Sequence, residues 1–462
     1  MTDLHWLTIA EAAPLIERCK LSPVDLVEAC LARIHALEPR LNAFITVLDE
    51  PALAQARVAA EEIARDQHRG PLHGVPVALK DIFAVAGVPM TAGSRIMRDH
   101  VADADSAVTE RLHAAGAVII GKLNLHEFAL GATGINPHYG PARNPWDTER
   151  ITGGSSSGSG AAVGAGECFA AMGTDTGGSI RIPASLCGVV GLKPTFGRVS
   201  RRDILPLSWS LDHAGPLTRS VQDAAIVLQA IVGYDPGDPG SSRVPVPDYQ
   251  ANLRDGIRGL RIGVPDRFFV DDLDPAVESA FRDALSVLES LGAQIGEFSP
   301  PLIDEAPGAV GAIMLPEGFA FHQRWLQERP DDYGDDVRYR FEMGATYPAS
   351  QYIQSLRFRE LFVEAWREQV FSRFDIIATP ATLISAHPIE RSDLSTTASL
   401  IRLTNPINLL GAPAISIPCG FSPDNLPLGL QLIGRWWDEA MVLRAAYAYE
   451  QATEWHTRRP PL

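Results

Sequence analysis

The sequence predicts an α/β protein with a central mixed, mostly parallel β-sheet covered by helices on both faces. Three observations carry this. Short apolar runs bounded by glycine or proline recur along the chain, as in GVPVALKD, AVIIGKLN, LRIGVP and FDIIATP. Between them lie stretches whose apolar residues fall three and four apart, the period of a helix. The segment DPAVESAFRDALSVLESLGAQIGEFSPP reads as a helix, a Gly292 cap and a strand, which is one αβ unit of such a sheet.

Taken in order, residues 4–66 read as a helical flank, with LSPVDLVEACLARIHAL carrying the helical spacing and Ser22-Pro23 placed as N-cap and first-turn proline. From Pro71 the texture changes to buried strands, and residues 71–232 read as the chemical core. Residues 233–250, GYDPGDPGSSRVPVPDYQ, are the most turn-rich stretch and predict a surface loop. Residues 304–350 are the least periodic and are expected to be a variable, substrate-facing insertion. No Ser/Gly linker divides the 462 residues, so residues 1–462 read as one domain.

Composition excludes several classes. A net charge of −16 and a pI near 5.2 oppose binding to nucleic-acid phosphates or to an anionic membrane, which need clustered lysine and arginine. The five cysteines are odd in number, widely spaced and lack a CxxC, which argues against a disulfide framework or a zinc site and for a reducing, cytoplasmic setting. The first residues, MTDLHWLTIAEAAPLIERCK, carry acidic groups where a signal peptide would be basic, and no later run approaches twenty uncharged apolar residues.

The chemistry concentrates between Thr152 and Gly191, where Gly153-Gly154 precedes Ser155 and Gly177-Gly178 precedes Ser179. Glycine at that density lets backbone N–H groups approach a bound atom. A dinucleotide cradle needs a hydrophobic strand before it, but the preceding RNPWDTERIT is polar and turn-forming, and there is no GK[ST] of a phosphate loop. Gly154-Ser155-Ser156-Ser157-Gly158 matches GxSxG literally, yet the nucleophile elbow also demands a strand before the serine; His213 and His387 are its only candidate bases. A third reading is a two-serine site with a lysine base. Lys80 ends the uncharged run GVPVAL, and burial can bring a lysine amine toward neutrality.

The residues HGVPVALKD, GGSSSGSGAA, GTDTGGSIRIPASLCGVVGLKPT and SLDHAGPLTRSVQDAA resemble the amidase signature family of amide hydrolases. The resemblance runs from LSPVDLVEACLARIHALEPRLNAFI to TNPINLLGAPAISIPCG and LPLGLQLIGRWWDE, nearly the whole chain. It implies the family's fold and a Ser–cis-Ser–Lys triad with Ser179 as nucleophile, Ser155 as bridging serine and Lys80 as base. It further implies a cis Gly154–Ser155 peptide, and backbone N–H groups of Thr176, Gly177, Gly178 and Ser179 as an oxyanion hole. Lys80 and Ser155 stand 75 positions apart and Ser155 and Ser179 stand 24 apart, in agreement with that pattern.

Asp175 and Arg181 flank the nucleophile and read as a buried ion pair rather than substrate ligands. His126, His138 and His213 read as structural, so neither a metal nor another cofactor is expected. Pocket-wall candidates are Leu207, Trp209, Met314 and Phe319, with Leu205, Leu315 and Phe321 beside them, which points to an apolar or aryl acyl group. The resemblance implies an amidohydrolase cleaving the C–N bond of a small amide, carbamate or urea-type substrate through an acyl-enzyme, with a homodimer left open. The alternative is a protein like the amidase component of glutamyl-tRNA amidotransferase, against which stand IRIPASLCG and FGRVSRRDILPLSW where that component usually reads IRQPA and YGRVSRYG. An idle scaffold is disfavoured by the intact Lys80, Ser155 and Ser179.

Overall fold

The computed structural model describes residues 3–462. Its strands are β1 (Phe44–Val47), β2 (Pro76–Lys80), β3 (Val118–Leu123), β4 (Arg143–Asn144), β5 (Asp147–Ile151), β6 (Ala170–Asp175), β7 (Val190–Lys193), β8 (His213–Thr218), β9 (Arg261–Pro265), β10 (Gln294–Phe298), β11 (Ile376–Pro380), β12 (Ala414–Phe421) and β13 (Pro427–Gly434). Eleven of them form one sheet in the order β1-β3-β2-β6-β8-β7-β12-β13-β11-β9-β10, with helices around it. β2, β3, β6, β8 and β13 are buried at every residue, which is why they read as unbroken apolar runs rather than as alternating ones.

The sheet is mixed, and its parallel pairings sit in two wings, β3-β2-β6 and β11-β9-β10. They number four against six antiparallel ones, a smaller parallel share than the sequence predicts. The difference lies in the middle. β12 and β13 are joined by a hairpin turn in which Ser422 N–H donates to the Leu426 carbonyl and Asn425 takes φ +58°, and such a hairpin is antiparallel by necessity.

The flank before residue 66 is mostly helical, as expected, with Ser22 Oγ accepting from Val24 N–H at the head of Pro23–Leu41. β1 is a correction: the short run AFITV after the left-handed Asn42 forms the edge strand. The helix Pro275–Ser290, the turn at Gly292 with φ +90° and β10 follow the predicted unit, and no helix or strand lies between Ile231 and Arg261, as expected of the loop at 233–250. Residues 304–350 hold two whole α-helices, Ala306–Glu328 and Asp335–Gly344, with the 3₁₀ turn Pro330–Asp332 between them and the start of Ala349–Gln369 after them. The first packs at once against Asp335–Gly344, Ala349–Gln369 and Asn405–Leu410, so it is apolar on several faces and shows no single period.

β2 and β6 are parallel neighbours, with Leu79 opposite Met172, so Lys80, Thr174 and Asp175 emerge together at their carboxyl ends. That is where open α/β sheets place their ligands.

Candidate active site

Lys80 is the last residue of β2 and is fully buried. Its Nζ donates to Ser155 Oγ and to Thr174 Oγ1, both at 2.8 Å. Burial pushes the ammonium down to about 7, against the opposing negative charges of Asp212 and then Asp175. The amine is therefore available as a base near neutral pH.

The Ser155 hydroxyl reaches Lys80 through the backbone run before it. Gly153 has φ +75° and the Gly154–Ser155 peptide is cis. The Ser155 carbonyl accepts from His126 N–H at 3.1 Å, and Ser156 N–H donates to the Ser179 carbonyl at 3.3 Å, tying the two serine runs together. Ser156 Oγ donates to the Thr174 carbonyl and accepts from the Thr174 N–H, and Ser157 Oγ donates to the Asn124 carbonyl, so the neighbouring serines brace the loop. Helix Ser157–Ala165 follows.

The stretch read as turn-forming before this run contains β4 and β5, a correction to the sequence reading. They form a separate ribbon outside the main sheet, with β5 polar at four of its five positions. The elbow reading fails on its base instead. The central serine of the GxSxG match, Ser156, is bonded to the Thr174 backbone and to no histidine, while His213 Nδ1 is engaged by the Asp175 and Leu211 carbonyls and His387 Nδ1 by Pro388 and Ser392.

Ser179 sits between β6 and the helix Arg181–Cys187, in a loop organised by Asp175. The Asp175 carboxylate accepts from the N–H groups of Gly178 at 2.9 Å and Ile180 at 3.1 Å, and takes a two-pronged contact from Arg181, Nε at 3.0 Å and Nη2 at 2.8 Å. Burial alone would raise this carboxyl, but the Arg181 charge and hydrogen bonds outweigh it and hold it below the usual carboxylate range. Arg181 is fully buried and also donates to Gln431 Oε1 and Asn408 Oδ1, the structural pairing that the sequence predicts.

Of the four N–H groups assigned to an oxyanion hole, Gly178's is taken by Asp175, which removes it from the set. Those of Thr176, Gly177 and Ser179 have no acceptor among the described residues. These same three residues face a pocket of about 120 Å³ that touches Ser179, whereas Gly178 does not. Gly178 has φ +129°, and a Cβ there would collide with Thr404 Oγ1, so only glycine fits.

The rest of the pocket is formed by Ala129–Ala132, Leu207, Pro307, Val310, Gly311, Met314, Arg340, Thr397, Ile401 and Asn405. Leu207 and Met314 are where the sequence places them. Trp209 and Phe319 are not in this wall: Trp209 is 50% exposed and lines a neighbouring hollow, and Phe319 packs against Gly344 and the core. Val310 and Gly311 lie inside the 304–350 segment but offer no aromatic signal, and Ile401 and Arg340 come from helices whose approach is tertiary. A larger hollow of about 590 Å³ lies between Trp6, Trp146, Arg219 and His456, and no triad candidate touches it. Among the described residues no cluster of three or more His, Cys, Asp or Glu is arranged to hold a metal.

A buried lysine bonded to one serine, a second serine at the pocket floor, and three free N–H groups beside it can relay a proton and stabilise an oxyanion. Comparison with known proteins gives the family. The sequence profile of the Amidase family matches residues 25–443. A glutamyl-tRNA(Gln) amidotransferase component from Chloroflexus aggregans is 45% identical over all of this chain and 99% of its own length. A chain from the inhibitor-bound structure of a vestigial protein complex that reveals the evolutionary origins of an s-triazine catabolic enzyme is 39% identical with a TM-score of 0.92, covering 96% of this chain and 98% of its own. The peptide amidase of Stenotrophomonas maltophilia is 32% identical with a TM-score of 0.88, covering 99% of this chain and 98% of its own. With a family match that spans most of the sequence and full-length relatives well above 30% identity, the chain belongs to the amidase family, the amidase signature enzymes.

Proposed function

We propose that this chain cleaves an amide C–N bond with Ser179 as nucleophile, Ser155 as relay and Lys80 as base, and that it does so as the amidase component of an assembly like glutamyl-tRNA amidotransferase. The observation that carries the chemistry is the 2.8 Å contact from a buried Lys80, with its amine near neutrality, to Ser155. The Ser179 proton passes through Ser155 to Lys80 as Ser179 Oγ bonds to the carbonyl carbon. The N–H groups of Thr176, Gly177 and Ser179 hold the oxyanion. When the C–N bond breaks, Lys80 returns the proton through Ser155 to the departing nitrogen, leaving an acyl-enzyme that water cleaves by the same relay. Residues 71–232 supply this machinery and residues 304–350 face the substrate.

The reading as part of an assembly is supported by the amidotransferase relatives at 42–45% identity over essentially their whole lengths. A second reading, a free-standing hydrolase of a small amide, carbamate or urea-type bond, is favoured by the largely apolar wall of Leu207, Val310, Met314 and Ile401. Purified alone, the chain is expected to release little ammonia from glutamine and to gain activity when the other components of an amidotransferase are added. Vigorous amine release from a panel of small amides without any partner would favour the second reading. Sedimentation of the same sample decides between monomer and homodimer. No helix among the described residues is long and apolar enough to cross a membrane, and with five free cysteines we place the protein in the cytoplasm.

Since protonated Lys80 cannot accept a proton, log kcat/KM is expected to rise by about one unit per pH unit below an apparent pKa near 7 and to level off above it. A flat profile from pH 5 to 9 would remove Lys80 as the base. Gly178→Ala, by pushing the nucleophile loop away from Thr404, is expected to lower kcat/KM by about 100-fold in steady-state assays.

A further inference from the structure

The helix Ala306–Glu328 gives the pocket Pro307, Val310, Gly311 and Met314, spaced so that they form one face. Glu317, three positions beyond Met314, is 5% exposed and is not part of the pocket wall. Its carboxylate accepts four hydrogen bonds from neutral groups: Ser208 Oγ at 2.5 Å and Ser210 N–H at 3.1 Å on Oε2, and Ser210 Oγ at 2.5 Å and Tyr352 Oη at 2.9 Å on Oε1. No lysine or arginine forms a salt bridge with it among the described residues. Arg359 lies near enough for its charge to act on Glu317 but forms no salt bridge with it, and the four donors offset the cost of burying the carboxylate.

Those donors belong mainly to the loop that presents Leu207, the pocket wall opposite the helix. This loop is not a strand of the sheet. Its near end is held by Asp212, whose carboxylate accepts from the N–H groups of Leu207 and Ser208, and its tip by Arg201 on the Trp209 carbonyl and Arg359 on the Ser210 carbonyl. Glu317 hydrogen-bonds this loop to the helix carrying Met314, beside an edge-on contact of Trp209 with Phe321, and through Tyr352 it adds to the tie that Arg359 makes with the helix Ala349–Gln369.

We propose that Glu317 is a positioning residue that sets the distance between Leu207 and Met314 and so limits the pocket over Ser179 to short acyl groups. A pocket of about 120 Å³ is well below the size of an ordinary small-molecule site, about 300 Å³ or more. Releasing the loop from the helix widens the pocket without touching Lys80, Ser155 or Ser179. The proposal rests on the nucleophile assigned above, but it concerns only which acyl group reaches it.

The test compares p-nitrophenyl acetate with p-nitrophenyl benzoate on the full chain, reading p-nitrophenol release and the covalent acyl mass. Glu317→Ala is expected to raise the benzoyl-to-acetyl ratio of kcat/KM by about 10-fold, mostly through a lower KM for the benzoyl ester. Glu317→Gln is expected to keep the wild-type ratio, because its amide carbonyl accepts from Ser208 and Ser210 N–H while its NH₂ donates to the two remaining hydroxyls. Ser210→Ala and Tyr352→Phe, each removing one donor, are expected to shift the ratio in the same direction by a smaller factor, which covers the case of an unfolded Glu317→Ala. An unchanged ratio in these variants, or a Glu317→Gln that behaves like Glu317→Ala, overturns the proposal. Acyl label that persists in Ser179→Ala is a separate failure, that of the nucleophile assignment.

Discussion

Ser179→Ala is expected to lower kcat/KM for amide cleavage by about 10⁵- to 10⁶-fold, on the order of 7–8 kcal/mol of transition-state stabilisation. The Ser179 hydroxyl lies on the pocket wall and is the proposed nucleophile, and its replacement leaves binding and the N–H groups of Thr176, Gly177 and residue 179. Lys80→Ala is expected to cost a comparable factor, because its amine is the base bonded to Ser155. The double variant should be no worse than either single one, since the side chains act as a unit and each is useless without the other. Amine release in steady state and covalent capture by an activated acyl donor measure the two halves. A Ser179→Ala enzyme that still forms the acyl adduct would place the nucleophile elsewhere.

The proposed triad was legible in the sequence through a family resemblance, and there is a physical reason why these segments carry one. Lys80, Ser155 and Ser179 sit in segments where composition is forced: β2 is buried at every position, Gly153 needs φ +75°, and Gly178 admits no Cβ against Thr404. Constraints that tight leave a mark on the sequence. The pocket wall left little. Val310, Gly311 and Ile401 are small or aliphatic residues that would read the same way in any core, and only the crossing of Ala306–Glu328 with Leu394–Ile401 over Ser179 makes them a wall. Trp209 and Phe319 misled because aromatic side chains mark both pockets and cores, and one is on the surface while the other is half-buried against the core. The Gly178 N–H was assigned to the oxyanion by its position in the run, but Asp175 caps that turn and claims it. β1 escaped notice because four residues between two helices carry too short a pattern to compete with the helical period around them.

Arg181→Met is expected to destabilise the protein by about 3–5 kcal/mol, read as a lower midpoint of chemical denaturation followed by tryptophan fluorescence. The methionine fills much of the space, so the loss arises from Asp175, a fully buried carboxylate left without its cation while still bound to Asn408 and to the N–H groups of Gly178 and Ile180. The sign with pH follows from the depressed Asp175 carboxyl. The pair's contribution is fully present above the ordinary aspartate value near 4 and is lost only as pH falls through the lower folded value, so the same destabilisation is expected at pH 6 and pH 8. Asp175→Ala should be worse for catalysis than Arg181→Met, because it also frees the Gly178 and Ile180 N–H groups that hold Ser179 in place. Removing both partners should cost less than the sum of the single losses, as expected for groups in direct contact. Additive losses would mean that Asp175 and Arg181 stabilise the fold separately and that the nucleophile loop does not depend on their pairing.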